Sequence, residues 1–360
     1  MTENPSSTGA MQFARWYASA VQLSTGQILL IGGRDDNPDL AHYSAYAEVY
    51  TPGYGFHTLT GAYIDAFNTS GALYPRTWLT SSGMVWTSDG SNIYSINPTG
   101  IGSVQIIGQA PTQIEFNMPA IMFAPDKVLL IGEDDSAWIM NMSGPTPVFQ
   151  RTDDVTGGRI WSNLVVLPDG RVMISGGSAV DNNLSGASYA AEIWDPTTGH
   201  WSFEADAAIP RLYHSDTILL ADGSVLSLGG GAPGPLTNLN GEEYKPAYLF
   251  DSTGAPAVRP VIKDAPAQVG PGTTFTMHVD NPASIKTLAL MPFGAVTHSF
   301  DMSARRLELP FTVQADGSLT VNLPANSNLL TPGDWMLFAI NVNGTPSIAS
   351  TVQVKTDPML

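Results

Sequence analysis

The chain has 360 residues, 43% of them hydrophobic, which is enough for a sizeable core and about two domains. A net charge of −17 argues against nucleic acid and anionic membrane surfaces as partners, because both call for a basic face. The absence of cysteine excludes disulfides, thiolate metal sites and cysteine nucleophiles, and there is neither an apolar run near the roughly 18 residues of a membrane span nor a visible signal peptide.

Thirty-five glycines and 27 prolines divide the chain into short β-rich runs, and long amphipathic helix patterns are scarce, so the fold is expected to be all-β. The first clear unit is Leu23-Ser-Thr-Gly-Gln-Ile-Leu-Leu-Ile-Gly-Gly33. It returns as Leu167-Pro-Asp-Gly-Arg-Val-Met-Ile-Ser-Gly-Gly177 and as Leu220-Ala-Asp-Gly-Ser-Val-Leu-Ser-Leu-Gly-Gly230. Weaker copies lie at Ala124–Gly132 and Ser82–Trp86. Each copy reads as a tight turn, a buried strand and a glycine pair that allows close backbone approach. Ala47–Pro52 and Ala191–Pro196 begin an outer hairpin that would complete a four-stranded unit. The turn positions Gly26, Gly83, Lys127, Gly170 and Gly223 follow one another at 57, 44, 43 and 53 residues. A period near 50 with paired glycines predicts a kelch-type β-propeller of about five blade units over residues 1–258. Past Val258 the pattern changes. Several short strands at regular spacing predict an immunoglobulin-like β-sandwich over residues 259–360.

Two stretches stand out for chemistry: Arg211-Leu212-Tyr213-His214-Ser215 and Thr297-His298-Ser299. Together with Tyr17, they could supply two imidazoles and two phenols, a donor set suited to Cu(II) in tetragonal geometry. His42, His57, His200 and His278 read as ordinary surface or strand residues. The acidic pairs Asp35-Asp36 and Glu133-Asp134-Asp135 read as solvated loop residues. No phosphate-binding loop or serine-hydrolase elbow occurs. The triplets at Asn68, Asn141, Asn183 and Asn343 match the glycosylation pattern, which is common by chance.

With these segments in order, the chain resembles the copper radical oxidases, the galactose oxidase and glyoxal oxidase family. Arg15-Trp16-Tyr17 followed by Gly32-Gly33 resembles the family's cross-linked-tyrosine segment, and Leu73-Tyr74-Pro75-Arg76 is similar to a segment of the glyoxal oxidases. Ile209–Ser215 resembles the segment of the axial tyrosine and first histidine. Thr297-His298-Ser299, with Arg305-Arg306-Leu307 behind it, resembles the segment of the second histidine. The resemblance implies a copper cofactor held by Tyr17, Tyr213, His214 and His298, with Tyr17 becoming a radical and Tyr213 acting as base. It places Arg76 and Trp161 at the substrate pocket, and Trp161 or Trp16 as the aromatic over Tyr17. It implies oxidation of a small alcohol, aldehyde or carbohydrate, reduction of O2 to H2O2, and a secreted or extracellular protein.

Two departures accompany the resemblance. The family joins its equatorial tyrosine to a cysteine, and this chain has none. Family propellers have seven blades against the five units counted here. Met1–Met11 reads as the tail of a preceding blade, so an N-terminal segment or another chain is expected to complete the propeller. The alternative is a catalytically inactive binding or structural propeller that keeps relic copper ligands.

Overall fold

The computed structural model describes residues 9–35, 42–69 and 72–355. The greater part of Met1–Met11, together with Asp36 and Asn37, lies outside the described residues. No α-helix occurs among the described residues, and no helix is long and apolar enough to cross a membrane.

Five antiparallel sheets follow one another along the chain. The first contains β1 (Trp16–Gln22), β2 (Ile28–Arg34), β3 (Tyr46–Thr51) and β4 (Gly55–Tyr63). The second contains β5 (Thr77–Leu79), β6 (Val85–Ser88), β7 (Asn92–Asn97) and β8 (Ser103–Gln109). The third contains β9 (Ala120–Ala124), β10 (Lys127–Ile131), β11 (Ala137–Asn141) and β12 (Val148–Arg151). The fourth contains β13 (Asn163–Val166), β14 (Val172–Ser175), β15 (Ala190–Trp194) and β16 (Trp201–Asp206). The fifth has three strands rather than the expected four: β17 (Ser215–Leu219), β18 (Val225–Gly229) and β19 (Gly241–Tyr244). The predicted outer hairpins form, with Val49 opposite His57 and Trp194 opposite Trp201.

Neighbouring sheets share apolar cores. Val21, Leu29 and Ile31 of the first pack with Leu79, Val85 and Ile96 of the second. Trp78 and Trp86 meet Val128 and Leu130. Ile121 and Leu129 join Leu164, Ile174 and Ile193.

The remaining strands form a sandwich. One sheet contains β20 (Ile262–Asp264), β22 (Thr274–Val279), β27 (Phe311–Val313) and β28 (Leu319–Asn322). The other contains β21 (Gln268–Val269), β23 (Ile285–Pro292), β26 (Leu307–Leu309), β29 (Gly333–Asn341) and β30 (Ser350–Val354). Strand β29 is apolar on both faces because both are covered. Trp335, Leu337 and Ala339 fill the sandwich, while Met336, Phe338 and Ile340 join the propeller core. The architecture is a β-propeller followed by an immunoglobulin-like sandwich, as the repeats and strand spacing predict.

One hairpin leaves the sandwich. Strands β24 (Val296–Thr297) and β25 (Phe300–Asp301) run into the propeller, where Phe300 pairs in parallel with Ala120 of β9. This hairpin also lies against β13 and β17, the first strands of the fourth and fifth sheets. The tight turn between its strands is His298-Ser299.

Candidate metal centre

A repeated brace builds the site. Arg15 donates to Glu48 at 2.8 Å and to the Gly32 carbonyl at 2.8 Å, with both ion-pair side chains buried. Arg159 does the same with Glu192 and the Gly176 carbonyl, and Arg211 with Glu242 and the Gly229 carbonyl. Each arginine therefore ties the entry of a sheet to the first glycine of its pair. The second glycine must be small. A Cβ on Gly33 would sit 2.9 Å from the Trp16 carbonyl oxygen, and one on Gly177 would sit 3.0 Å from that of Ile160.

Just beyond each arginine the backbone turns left-handed at a large residue. Tyr17 has φ 65°, Trp161 φ 64° and His214 φ 63°. Tyr17 and His214 each precede the residue that pairs with the first glycine, Ala18 with Gly32 and Ser215 with Gly229. In an ordinary strand successive side chains point to opposite faces. A positive φ breaks that alternation and stacks a residue on its predecessor. Trp16 lies on Tyr17 with ring centroids 3.6 Å apart, and Tyr213 on His214 at 3.7 Å. Nine non-glycine residues carry positive φ among the described residues, and six belong to this region: Tyr17, Tyr74, Trp161, His214, His298 and Ser299. Such backbone strain clusters at functional sites.

These turns bring together four residues that sequence spacing alone keeps far apart. The Tyr17 and Tyr213 hydroxyls are in direct hydrogen-bond contact. The Tyr17 hydroxyl is 3.4 Å from His214 Nε2, which is 3.0 Å from His298 Nε2. His214 Nδ1 lies 2.7 Å from the Ala232 carbonyl oxygen. That carbonyl only accepts, so Nδ1 carries a proton, and in the neutral ring Nε2 is then the nitrogen with the lone pair. Thr297 Oγ1 lies 2.7 Å from His298 Nδ1 and can fix that ring in the same way. Burial, helped by His214 and Arg76, lowers the His298 pKa to about 4, so its imidazole is neutral at pH 7. Burial and the Tyr17 hydrogen bond push the Tyr213 phenol well above its ordinary value. Two imidazole nitrogens and two phenol oxygens thus converge, and one cation would satisfy all four. No group of three or more His, Cys, Asp or Glu side chains forms a rival metal site among the described residues.

The other expected site residues fall differently. Arg76 sits at the entry of the second sheet, just before β5. It is fully buried, and one terminal nitrogen donates to the carbonyls of Phe116, Met118 and His298 at 2.6, 2.8 and 2.9 Å. Burial lowers its pKa to about 9. It supports the His298 turn from beneath. Trp161 is buried against Tyr213 at 4.4 Å, and its indole N–H donates to the exposed Asp181. The aromatic stacked on Tyr17 is Trp16 rather than Trp161.

Sequence reasoning missed Tyr74 and Asp216. The Tyr74 ring stacks on His298 at 4.3 Å and meets Tyr17 at 4.8 Å. Its only sequence signal was membership of the Leu73–Arg76 segment. Asp216 lies within electrostatic reach of His214, and burial raises it to about 6. The alternation of β17 alone would have assigned it to an unremarked strand face.

An all-β propeller joined to an immunoglobulin-like sandwich, with two imidazoles and two phenols under the sandwich hairpin, defines a narrow class. A family described as the galactose oxidase-like early set domain matches residues 259–354. A galactose oxidase of Gibberella zeae is 30% identical over 378 residues, covering 96% of this chain and 55% of that protein. An aldehyde oxidase GLOX of Vitis pseudoreticulata is 30% identical over 237 residues, covering 59% of this chain and 44% of that protein. A fungal alcohol oxidase of the AA5 family, solved in complex with copper, superposes with a TM-score of 0.87 at 26% identity, covering 96% of this chain and 77% of that one. The chain is thus similar, over nearly its whole length, to proteins of the copper radical oxidase family. It spans about half the length of the curated relatives it matches.

Proposed function

We propose that this chain is the copper-binding part of an oxidase that converts a small alcohol, aldehyde or sugar while reducing O2 to H2O2. The observation that carries the proposal is the convergence of Tyr17, Tyr213, His214 and His298 in one cluster. These four residues would hold copper. Two imidazoles and two phenols suit Cu(II) far better than Mg2+ or Ca2+, which prefer carboxylates and carbonyls. Copper, when bound, would supply the one-electron redox chemistry of the centre.

The chain's own residues supply the rest. As a phenolate on bound copper, Tyr213 would be the base that accepts the substrate's hydroxyl proton, since only coordination offsets its raised pKa, and its contact with the Tyr17 hydroxyl keeps it at the reacting centre. Tyr17, flanked by Trp16 and Tyr74, holds the second oxidising equivalent as a side-chain radical. Trp161 borders the same space beside Tyr213. An extracellular setting is part of the proposal, drawn from the family resemblance.

One observation favours a second reading, an inactive propeller that retains its ligands. The chain contains no cysteine, so no thioether to Tyr17 can form within it. Copper loading followed by metal analysis and H2O2 detection separates the two. Stoichiometric copper in the wild type, lost in the double variant His214→Ala, His298→Ala, supports the site. H2O2 production with simple alcohols, aldehydes or galactose supports the oxidase. Copper without H2O2 leaves the inactive reading, and equal copper in both proteins eliminates the site.

A further inference from the structure

We propose that Trp16 is the electron port of the site, through which an external one-electron oxidant reaches Tyr17. The Trp16 ring lies 3.6 Å from the Tyr17 ring at an interplanar angle of 19°, so the two π-systems are in contact. Tyr17 is held among Tyr213, His214, Tyr74 and His298. Trp16 is 44% exposed and connects it to solvent. Trp161, the other indole of the site, is buried and offers no such route.

Arg34 gives the pair a direction. Strand pairing sets it opposite Trp16, and its guanidinium lies 4.6 Å from the ring centroid. A neighbouring cation stabilises the neutral indole through its π-face and opposes a positive charge on that ring. A hole on Trp16 therefore moves on to Tyr17, where loss of the phenolic proton leaves a neutral radical. In a chain of net charge −17, the same guanidinium also offers an anionic oxidant a local landing point.

A hexachloroiridate(IV) ion takes one electron from Trp16 and becomes iridium(III). Tyr17 returns an electron to Trp16 and releases its phenolic proton to solvent, to which its hydroxyl is exposed beside His214. The net change is one electron to iridium, one proton to solvent and a phenoxyl radical at Tyr17.

This inference rests on the redox role proposed for Tyr17, but its test uses the metal-free protein, so failure of copper binding leaves it testable. The protein is mixed with hexachloroiridate(IV), and the radical is trapped by rapid freezing and identified by electron paramagnetic resonance with ring-deuterated tyrosine. The wild type should give a tyrosyl signal that Tyr17→Phe removes. Trp16→Phe should slow its appearance several-fold, while Trp201→Phe, in the outer strand of the fourth sheet, leaves it unchanged. Arg34→Gln should shift signal from Tyr17 to the indole, which keeps the proposal open to test if Trp16→Phe folds poorly. A Tyr17 radical that forms as fast in Trp16→Phe as in the wild type overturns the port. So does a wild-type signal that Tyr17→Phe leaves intact.

Discussion

Arg76 donates a hydrogen bond of 2.9 Å to the backbone oxygen of His298, 222 residues further along the chain. The contact locks the tip of a sandwich hairpin onto the entry of the second propeller sheet. It also explains how His298, in a strained left-handed turn, keeps its imidazole aimed at His214.

Arg76→Met should therefore loosen His298 and destabilise the protein together. Each buried carbonyl left without a donor costs about 1–3 kcal/mol, and three depend on this guanidinium. The expected result is a lower melting temperature and a several-fold weaker copper affinity, measured by thermal unfolding and by competition with a copper chelator. Unchanged copper affinity would show that His298 holds its position without Arg76.

The buried pair Arg159–Glu192 gives a purely structural prediction. Both side chains are about 1% exposed. Arg159→Met strands the Glu192 carboxylate, and breaking a buried pair in this way costs about 3–5 kcal/mol. Denaturant unfolding should show a loss of that size. A loss below about 1 kcal/mol would mean that the pair behaves like a surface ion pair. Replacing both partners with apolar residues should recover part of the loss, because no lone charge then remains buried.

Much of this arrangement was legible in the sequence, for identifiable reasons. The glycine pairs at Gly32, Gly176 and Gly229 reported a real constraint, the close approach of two backbones at each sheet entry. The second sheet gave a weak signal because β6 ends in Thr87-Ser88, and threonine hydroxyls rather than a glycine pair link its strands. His214 and His298 stood out because imidazoles are few and both sit beside hydroxyl residues. The burial of Arg76 was hidden because a lone arginine gives no sign of the three carbonyls that will surround it. The Trp16–Tyr17 stack was hidden for a different reason. Adjacent residues in a strand should face opposite ways, and only the left-handed turn at Tyr17 overrides that rule.

Gly33→Ala probes that turn. Gly33 has φ +81°, and an added Cβ would stand 2.9 Å from both Arg15 Cα and the Trp16 oxygen. The left-handed conformation alone costs about 1–2 kcal/mol for a residue with a side chain, and the contact adds to it. The variant should melt earlier and bind copper more weakly, since Arg15–Tyr17 must shift to make room. Gly53→Ala serves as the comparison. Gly53 has the same φ of +81° but no atom near its added Cβ, so it should lose stability without losing copper.

Acid should weaken the metal-free fold through His298. Its folded pKa is about 4, against an ordinary value of 6.5. Between those values the unfolded chain binds a proton that the folded chain does not, so stability falls as the pH drops through this window. Above pH 6.5 both states are neutral and the effect vanishes; below about 4 it is fully expressed. Burial is the main cause, and the proximity of His214 and Arg76 adds to it. The melting temperature of His298→Asn should therefore decline less steeply than that of the wild type between pH 6.5 and 4, and the difference between the two curves isolates this residue from the carboxylates. Parallel curves would mean that His298 titrates normally in the folded protein, which would remove the burial argument for a neutral, metal-ready imidazole.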